Sequence, residues 1–263
     1  MLIDQPADVG GEYFKPPVDI VFLTKIDNSM QRYVEMLPSK YIEGKKYNVL
    51  IALHGHGSDR WQFIRDERDE CKASRDTAGK HEMIFISPDY RATTSWMGPK
   101  AEADLLQIIR STRRKYNIGK VFVTGASMGG SSSLTFAALH PDLIAGVASQ
   151  NGTANHLEYE NFQDAIAESF GGTKAEKPLE YKNRSPEYWP EKFTIPVAIA
   201  AGGKDELVPS GSVVRLANIL KKIGAKVLLI HRPEGGHSTD YADTAATIEF
   251  VIRNAPEETP DSE

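Results

Sequence analysis

The stretch VFVTGASMGGSSSL, residues 121–134, places a serine between two glycines where one secondary-structure element gives way to another. The β-branched and aromatic run before Gly125 is typical of a strand, and the residues after Gly129 are typical of a helix. A sharp turn between them would expose the middle hydroxyl, and the glycines would let strand and helix approach closely. The pattern G-x-S-x-G therefore predicts that Ser127 is a nucleophile. An ordinary turn serine is the alternative.

Around this stretch, short apolar runs alternate with longer amphipathic segments. Continuous apolar runs, typical of strands buried on both faces, occupy residues 48–53, 83–88, 120–125, 145–149, 196–201 and 226–231. Residues 31–37 alternate with period two, which predicts an early antiparallel strand. Helical segments are predicted over residues 101–116, 129–139, 213–223 and 240–253. This order predicts an α/β fold, with a mostly parallel central sheet flanked by helices and ligands at the carboxyl ends of its strands.

The chain of 263 residues is long enough for one large domain. We predict an N-terminal arm over residues 1–17, a single α/β domain over 18–254 and an acidic tail over 255–263. Within the domain, residues 151–189 are polar and weakly periodic, so they are interpreted as a small lid-like insertion or pocket wall. Residues 1–17 lack the pattern of a signal peptide, and the compartment stays open between cytoplasmic and secreted or periplasmic.

A nucleophilic serine needs a base to take its proton and an acid to orient that base. Asp205 follows the apolar run 196–201 and two glycines, so it is the predicted acid, with Glu206 as the alternative. His237 follows two glycines beyond the last apolar run and is the predicted base. His231 lies inside that run and is interpreted as a packed or edge histidine. The order Ser, Asp, His is the one expected of an α/β-hydrolase.

The developing negative charge of an acyl-transfer reaction needs hydrogen-bond donors that are already in place. The segment His54-Gly55-His56-Gly57 follows the run 48–53, which predicts a turn at the ligand edge of the sheet. We predict that the oxyanion hole consists of the backbone N–H groups of His56 and Met128. A turn that the glycines merely shape is the alternative reading.

Metal and thiol chemistry are the alternatives to a serine nucleophile. His54 and His56 have the spacing of a metal pair, but the pattern H-x-H-x-D-H would require Asp at Ser58 and His at Asp59, so no metal or other cofactor is predicted. Cys71, the one cysteine of the sequence, lies in a charged helical stretch and is interpreted as an inert side chain.

The net charge of −5 with scattered basic residues argues against a nucleic-acid partner. No apolar run is long enough to predict a membrane span, and the oligomeric state is unknown.

The four segments LHGHGS, GASMGG, AAGGKDELVP and EGGHS together resemble the α/β-hydrolase superfamily of serine esterases. Within it, the chain looks most like polyhydroxybutyrate depolymerases, feruloyl and acetylxylan esterases, and the catalytic domain of prolyl-oligopeptidase-type enzymes. The resemblance implies the α/β-hydrolase fold and a metal-independent carboxylic ester hydrolase that works through an acyl-serine. Because those peptidases carry a propeller domain and this sequence has no room for one, an esterase is favoured.

The substrate is the least constrained part of the interpretation. A small-molecule or carbohydrate-linked acyl or feruloyl ester is expected, and Tyr90, Trp96 and Trp189 are candidates for the pocket wall because aromatic side chains suit sugars and aryl groups. Plain packing of these three residues is the alternative. A peptidase or thioesterase with the same triad, or a catalytically silent binding protein of the same fold, are the other functions considered.

Overall fold

The structure is a computed structural model that describes residues 11–257. Residues 1–10 of the predicted arm and 258–263 of the predicted tail lie outside the described range. The described part of the arm packs against the domain, because Phe14 is buried and forms an isolated bridge with Pro38. The division into arm, domain and tail stays a prediction.

A single eight-stranded sheet forms the centre of the chain, in the order β1-β2-β4-β3-β5-β6-β7-β8. The first two strands are antiparallel to their neighbours and the remaining six run parallel. The strands are Val18–Leu23 (β1), Met30–Met36 (β2), Tyr47–Leu53 (β3), Ile84–Pro88 (β4), Ile118–Ala126 (β5), Gly146–Gln150 (β6), Val197–Gly202 (β7) and Val227–Arg232 (β8). The predicted fold class, including the early antiparallel strand, is confirmed.

Among the strands of the described residues, β1 alone was not predicted from the sequence. This strand lies at the edge of the sheet, and its six residues are all exposed or half-buried. Its one apolar run, residues 20–23, is only four residues long, and the strand has no clean alternation of apolar and polar residues.

Eight α-helices in residues 11–257 surround the sheet. They are Gln62–Arg65 (α1), Asp69–Lys80 (α2), Pro99–Lys115 (α3), Met128–Leu139 (α4), Gln163–Phe170 (α5), Pro178–Asn183 (α6), Gly211–Lys222 (α7) and Tyr241–Asn254 (α8). Alternate residues of β3 point to opposite faces: Val49 and Ile51 belong to the apolar core that includes residues of α3, α4 and α7, whereas Leu50 belongs to the one that includes residues of α1, α2 and α8. None of the described helices combines the length and apolar character needed to cross a membrane. The layered arrangement leaves the loops at the carboxyl ends of the strands open for a site.

The predicted insertion, residues 151–189, is packed firmly against the domain. Arg184 donates to the backbone oxygen of Met97 at 2.6 Å and to the carboxylate of Glu102 at 2.7 Å, and both partners lie outside the insertion. His156 is fully buried in the same segment, between the rings of Trp96 and Phe170. Whether the segment acts as a lid stays a prediction.

His156 is held as a neutral imidazole. Neither ring nitrogen has a hydrogen-bond partner among the described residues. Burial, together with the positive charges of Arg184 and Lys174, lowers the pKa of His156 to about 3. Protonation of this side chain would therefore place an uncompensated charge in an aromatic pocket.

This burial predicts a loss of stability in acid. Because His156 titrates near pH 6.5 when unfolded and near 3 when folded, the unfolded state binds more protons below pH 6.5. The free energy of unfolding therefore falls as the pH drops from 6.5 toward 3, by about 2–3 kcal/mol at pH 4.5 for this one group. In a His156→Phe variant, the free energy of unfolding measured in urea should fall less between pH 7.5 and 4.5, because the contribution of His156 is missing. A His231→Phe variant is the control, since His231 is exposed on β8. Identical pH dependence in the wild type and His156→Phe would contradict the prediction.

Candidate active site

Ser127 lies at the junction between β5 and α4, at the carboxyl edge of the sheet. Its backbone has φ 58° and ψ −120°, a conformation that is costly for a residue with a side chain. The Ser127 N–H donates to the backbone oxygen of Gln150 at the end of β6, at 2.9 Å. The neighbouring strand thus helps to hold the strained turn in which the side chain is presented to the cleft.

The two glycines that flank this turn are required by close contacts of the backbone. A Cβ atom on Gly129 would overlap the carbonyl oxygen of Leu53, and one on Gly125 would overlap the carbonyl of Gly129. Both obstacles are backbone atoms, which cannot move aside as a flexible side chain can. The glycines predicted from the sequence to permit close approach do so in the structure.

The structure brings Ser127, His237 and Asp205 together in one hydrogen-bonded chain. His237 Nε2 lies 2.9 Å from Ser127 Oγ, and His237 Nδ1 lies 2.7 Å from Asp205 Oδ2. The Asp205 carboxylate is buried, and the imidazole of His237 is partly open to solvent. In this arrangement the imidazole can take a proton from the hydroxyl while the carboxylate fixes its tautomer and orientation.

The loops that carry the acid and the base are locked to each other. A Cβ on Gly202, at the end of β7, would overlap the backbone of Gly236, so the two loops pass in direct contact. The second oxygen of Asp205 accepts the N–H groups of Leu207 and Val208 at 3.0 and 2.9 Å. These bonds leave Oδ2 free to face the histidine.

The alternative acid and base are placed elsewhere. Glu206 is exposed beside Asp205, and His231 is exposed on the edge strand β8. Within the described residues, the hydrogen bonds to Ser127 and Asp205 involve neither side chain.

The negative charge of Asp205 adds to burial in raising the pKa of Tyr159, whose hydroxyl donates to Leu207 O at 2.7 Å.

The predicted oxyanion donors lie on two turns beside Ser127. Met128 is the first residue of α4, where a backbone N–H has no acceptor within its own helix. His56 lies in the turn after β3 and lines the same cleft as Ser127. In residues 11–257, the backbone N–H groups of His56 and Met128 have no protein acceptor. Their role as the oxyanion hole stays a prediction.

The side chains of the His54 and His56 pair do not converge on a common point. His54 is buried, with Nδ1 2.8 Å from the backbone oxygen of Gly55 and Nε2 3.0 Å from that of Asp89. His56 Nδ1 instead faces the indole N–H of Trp96 at 3.3 Å. Over residues 11–257, no group of three or more His, Cys, Asp or Glu side chains is arranged to hold a metal ion.

A cleft of about 440 Å³ opens above Ser127. It is lined by Gly55, His56, Gly57, Ser58, Gln62, Arg68, Glu70, Ala126, Ser127, Asn151, Phe162, Leu207, His237, Ser238 and Thr239. Polar side chains from the region of α1 and α2 form one part of the wall, and Phe162 with Leu207 supplies an apolar part. The predicted insertion thus reaches the cleft through Asn151 and Phe162.

The prediction that three aromatic side chains form the wall of the pocket is wrong. None of Tyr90, Trp96 and Trp189 lines this cleft. Tyr90 is buried and donates its hydroxyl to His54 O at 2.6 Å, and Trp189 donates to Lys182 O at 3.0 Å. Trp96 is buried behind the cleft, against His56 and residues of the insertion. Aromatic bulk in a loop does not reveal on which side of the wall the ring lies.

Several cleft residues were missed from the sequence. Asn151 has a left-handed φ of 47°, and its side chain contacts Gly236 O at 3.2 Å and Thr239 Oγ1 at 2.9 Å, which fixes the loop of His237. Its position directly after β6, at the ligand edge, was an available signal. Gln62 and Phe162 carry no such signal, because their place in the cleft depends on how distant segments pack.

Cys71 lies in α2, where burial raises its thiol pKa, consistent with an inert side chain.

Comparisons with known proteins identify the family and the fold of the chain. Residues 92–252 match the prolyl oligopeptidase family. A fluorophosphonate-binding serine hydrolase F of Staphylococcus aureus is similar over 93% of this chain and 100% of its own, at 17% identity and a TM-score of 0.70. A ferulic acid esterase is similar over 92% and 98%, at 17% identity and a TM-score of 0.68. No curated protein sequence matches.

An acylaminoacyl peptidase of Pyrococcus horikoshii is similar over 95% of this chain, at 18% identity and a TM-score of 0.71. The chain spans only 43% of that peptidase. The fold and the comparisons together define a serine hydrolase of the α/β-hydrolase fold. The chain belongs to the prolyl oligopeptidase family, whose match covers more than half of it.

The close contact at Gly129 predicts a sharp response to one methyl group. A Gly129→Ala substitution should lower the free energy of unfolding by about 3 kcal/mol or more, because the carbonyl of Leu53 cannot yield. Gly236→Ala is the matched control, since a Cβ there meets no atom within 4 Å. Denaturant unfolding of both variants measures the difference. Equal stability of the two variants would show that the elbow tolerates a side chain.

Proposed function

We propose that this protein is a serine carboxylic ester hydrolase that works through an acyl-enzyme intermediate. The observation that carries the proposal is the chain of hydrogen bonds from Ser127 through His237 to Asp205, with contacts of 2.9 and 2.7 Å. A serine, a base and a buried acid in this order supply what nucleophilic acyl transfer needs.

In the proposed reaction, Ser127 Oγ attacks the carbonyl carbon of the ester while His237 Nε2 takes the hydroxyl proton. The oxyanion of the tetrahedral intermediate accepts hydrogen bonds from the backbone N–H groups of His56 and Met128. Collapse breaks the bond to the alcohol, which leaves with the proton from His237. Water, activated by the same imidazole, then releases the acid and restores Ser127.

An ester is favoured as substrate by the extent of the structural similarity. The match to a ferulic acid esterase spans 98% of that protein, whereas the chain spans 43% of the acylaminoacyl peptidase. The polar wall with Arg68 and Glu70 suits a carbohydrate-linked acyl group, and Phe162 with Leu207 offers an apolar surface for an acyl or feruloyl group.

Peptide hydrolysis is the second candidate, and the match to the prolyl oligopeptidase family favours it. A peptidase or a thioesterase would use the same triad and differ in the fit of the leaving group. Direct turnover of esters, peptides and thioesters therefore decides among the three activities.

The proposal predicts that Ser127→Ala lowers kcat/KM for p-nitrophenyl acetate by about a thousandfold or more. The same variant should fail to react with a fluorophosphonate probe. Asp205→Asn should leave probe labelling slow but measurable, because the nucleophile remains while the imidazole loses its orienting partner. Steady-state kinetics and labelling gels measure both effects.

The control variant is Ser111→Ala, since Ser111 lies on α3 away from the cleft. Full activity of Ser127→Ala, or loss of wild-type activity on adding a chelator, would contradict the mechanism. Faster normalised turnover of aminoacyl p-nitroanilides or acyl thioesters than of short-chain and feruloyl esters would replace the ester proposal by the corresponding alternative.

A further inference from the structure

Gln62 has a fixed orientation at the edge of the cleft. Its Oε1 accepts the backbone N–H of Gly55 at 2.7 Å, within the turn that also carries the His56 N–H. A Cβ built on Gly55 would lie 3.7 Å from both Gln62 Oε1 and Ser127 Cβ, so both side chains border the same point of the backbone. The carboxamide is therefore held close to the nucleophile.

This hydrogen bond decides which end of the carboxamide is available. Because an N–H can donate only to the oxygen, Nε2 is the other end of the group. Gln62 Nε2 has no protein partner in residues 11–257, and it is not among the buried polar atoms that lack one. Since Gln62 is only 9% exposed and lines the cleft, this NH₂ group meets the cleft solvent.

His56 presents a second side-chain donor. Its Nδ1 accepts the indole N–H of Trp96 at 3.3 Å, and its ring packs on Phe162 with centroids 4.4 Å apart. Burial lowers the pKa of His56, which favours the neutral imidazole. With Nδ1 occupied as acceptor, the proton resides on Nε2, which has no partner within the described chain and is not a buried orphan.

We propose that the side chains of Gln62 and His56 form a pair of donors that binds an oxygen atom of the substrate outside the scissile ester. Each has its acceptor atom already used by the protein, so only N–H groups face the cleft. The inference rests on the proposed esterase function and deepens it. It names the substrate class as esters with an ether, hydroxyl or carbonyl oxygen within reach of the reacting carbon, as opposed to plain alkyl esters.

Isosteric ester pairs test this preference. On the alcohol side, 2-methoxyethyl acetate is compared with butyl acetate. On the acyl side, p-nitrophenyl methoxyacetate is compared with p-nitrophenyl butyrate. In each pair one oxygen replaces one methylene, and alkaline hydrolysis rates correct for intrinsic reactivity. The wild type should prefer the oxygen-containing member of at least one pair by about tenfold in kcat/KM, the worth of one hydrogen bond.

Substitutions assign the preference to the two side chains. Gln62→Glu keeps an acceptor for Gly55 N–H and lacks the donor, and Gln62→Met removes both. His56→Phe keeps the ring packing and the backbone N–H. In each variant, the ratio of kcat/KM between the two members of the pair should fall close to one. If the side chains had only a structural role, the substitutions would lower kcat/KM equally for both esters. Gln31→Met, on β2 away from the cleft, is the control that keeps the wild-type ratio.

The failure of this inference is distinct from that of the esterase proposal. Ser127-dependent turnover with a ratio of one in both wild-type pairs, or a preference that all three variants retain, would overturn the donor pair and leave the esterase intact. If no ester is turned over, the rates at which Ser127 reacts with 2-methoxyethyl and butyl fluorophosphonates give the alcohol-side ratio. A ratio of one there, or no labelling, overturns the donor pair as well.

Discussion

The contact between the backbone of Gly129 and the carbonyl of Leu53 is the constraint on which the candidate site depends. It lets the helix α4 begin directly against β3, which forces Ser127 into its left-handed conformation between strand and helix. The strain at Ser127 persists because the parallel neighbours β3 and β6 hold the turn from both sides. The same contact brings the turn after β3, with its N–H groups, next to the serine hydroxyl.

The rest of the site follows from the parallel arrangement of the sheet. Asp205 and His237 come from loops that follow β7 and β8, more than 75 residues from Ser127, yet all three meet because parallel strands end at one edge. Glycine again permits the final approach, here between the loops of Gly202 and Gly236. Buried backbone contacts, and not surface charges, thus set the distances between the reacting groups.

Two side chains in the wall of the cleft have their acceptor atoms occupied by the protein. Gln62 Oε1 accepts the N–H of Gly55, and His56 Nδ1 accepts the indole N–H of Trp96. Of the three aromatic residues expected in the wall, Trp96 lies behind it and donates to His56 Nδ1, which favours one tautomer of a residue that lines the cleft. Under the donor-pair proposal, Trp96 would act on specificity indirectly, through the imidazole that it orients.

The sequence alone determined the class of fold, because continuous apolar runs of strand length and helical periodicities are local properties. It also indicated Ser127, Asp205 and His237, since nucleophile, acid and base each follow a strand and a glycine that can be read locally. Only the tertiary structure decided the edge strand β1, the place of Trp96 behind the wall, and the orientation of Gln62. These depend on packing between segments far apart in the chain, where one ring or carboxamide can face either way until its neighbours fix it.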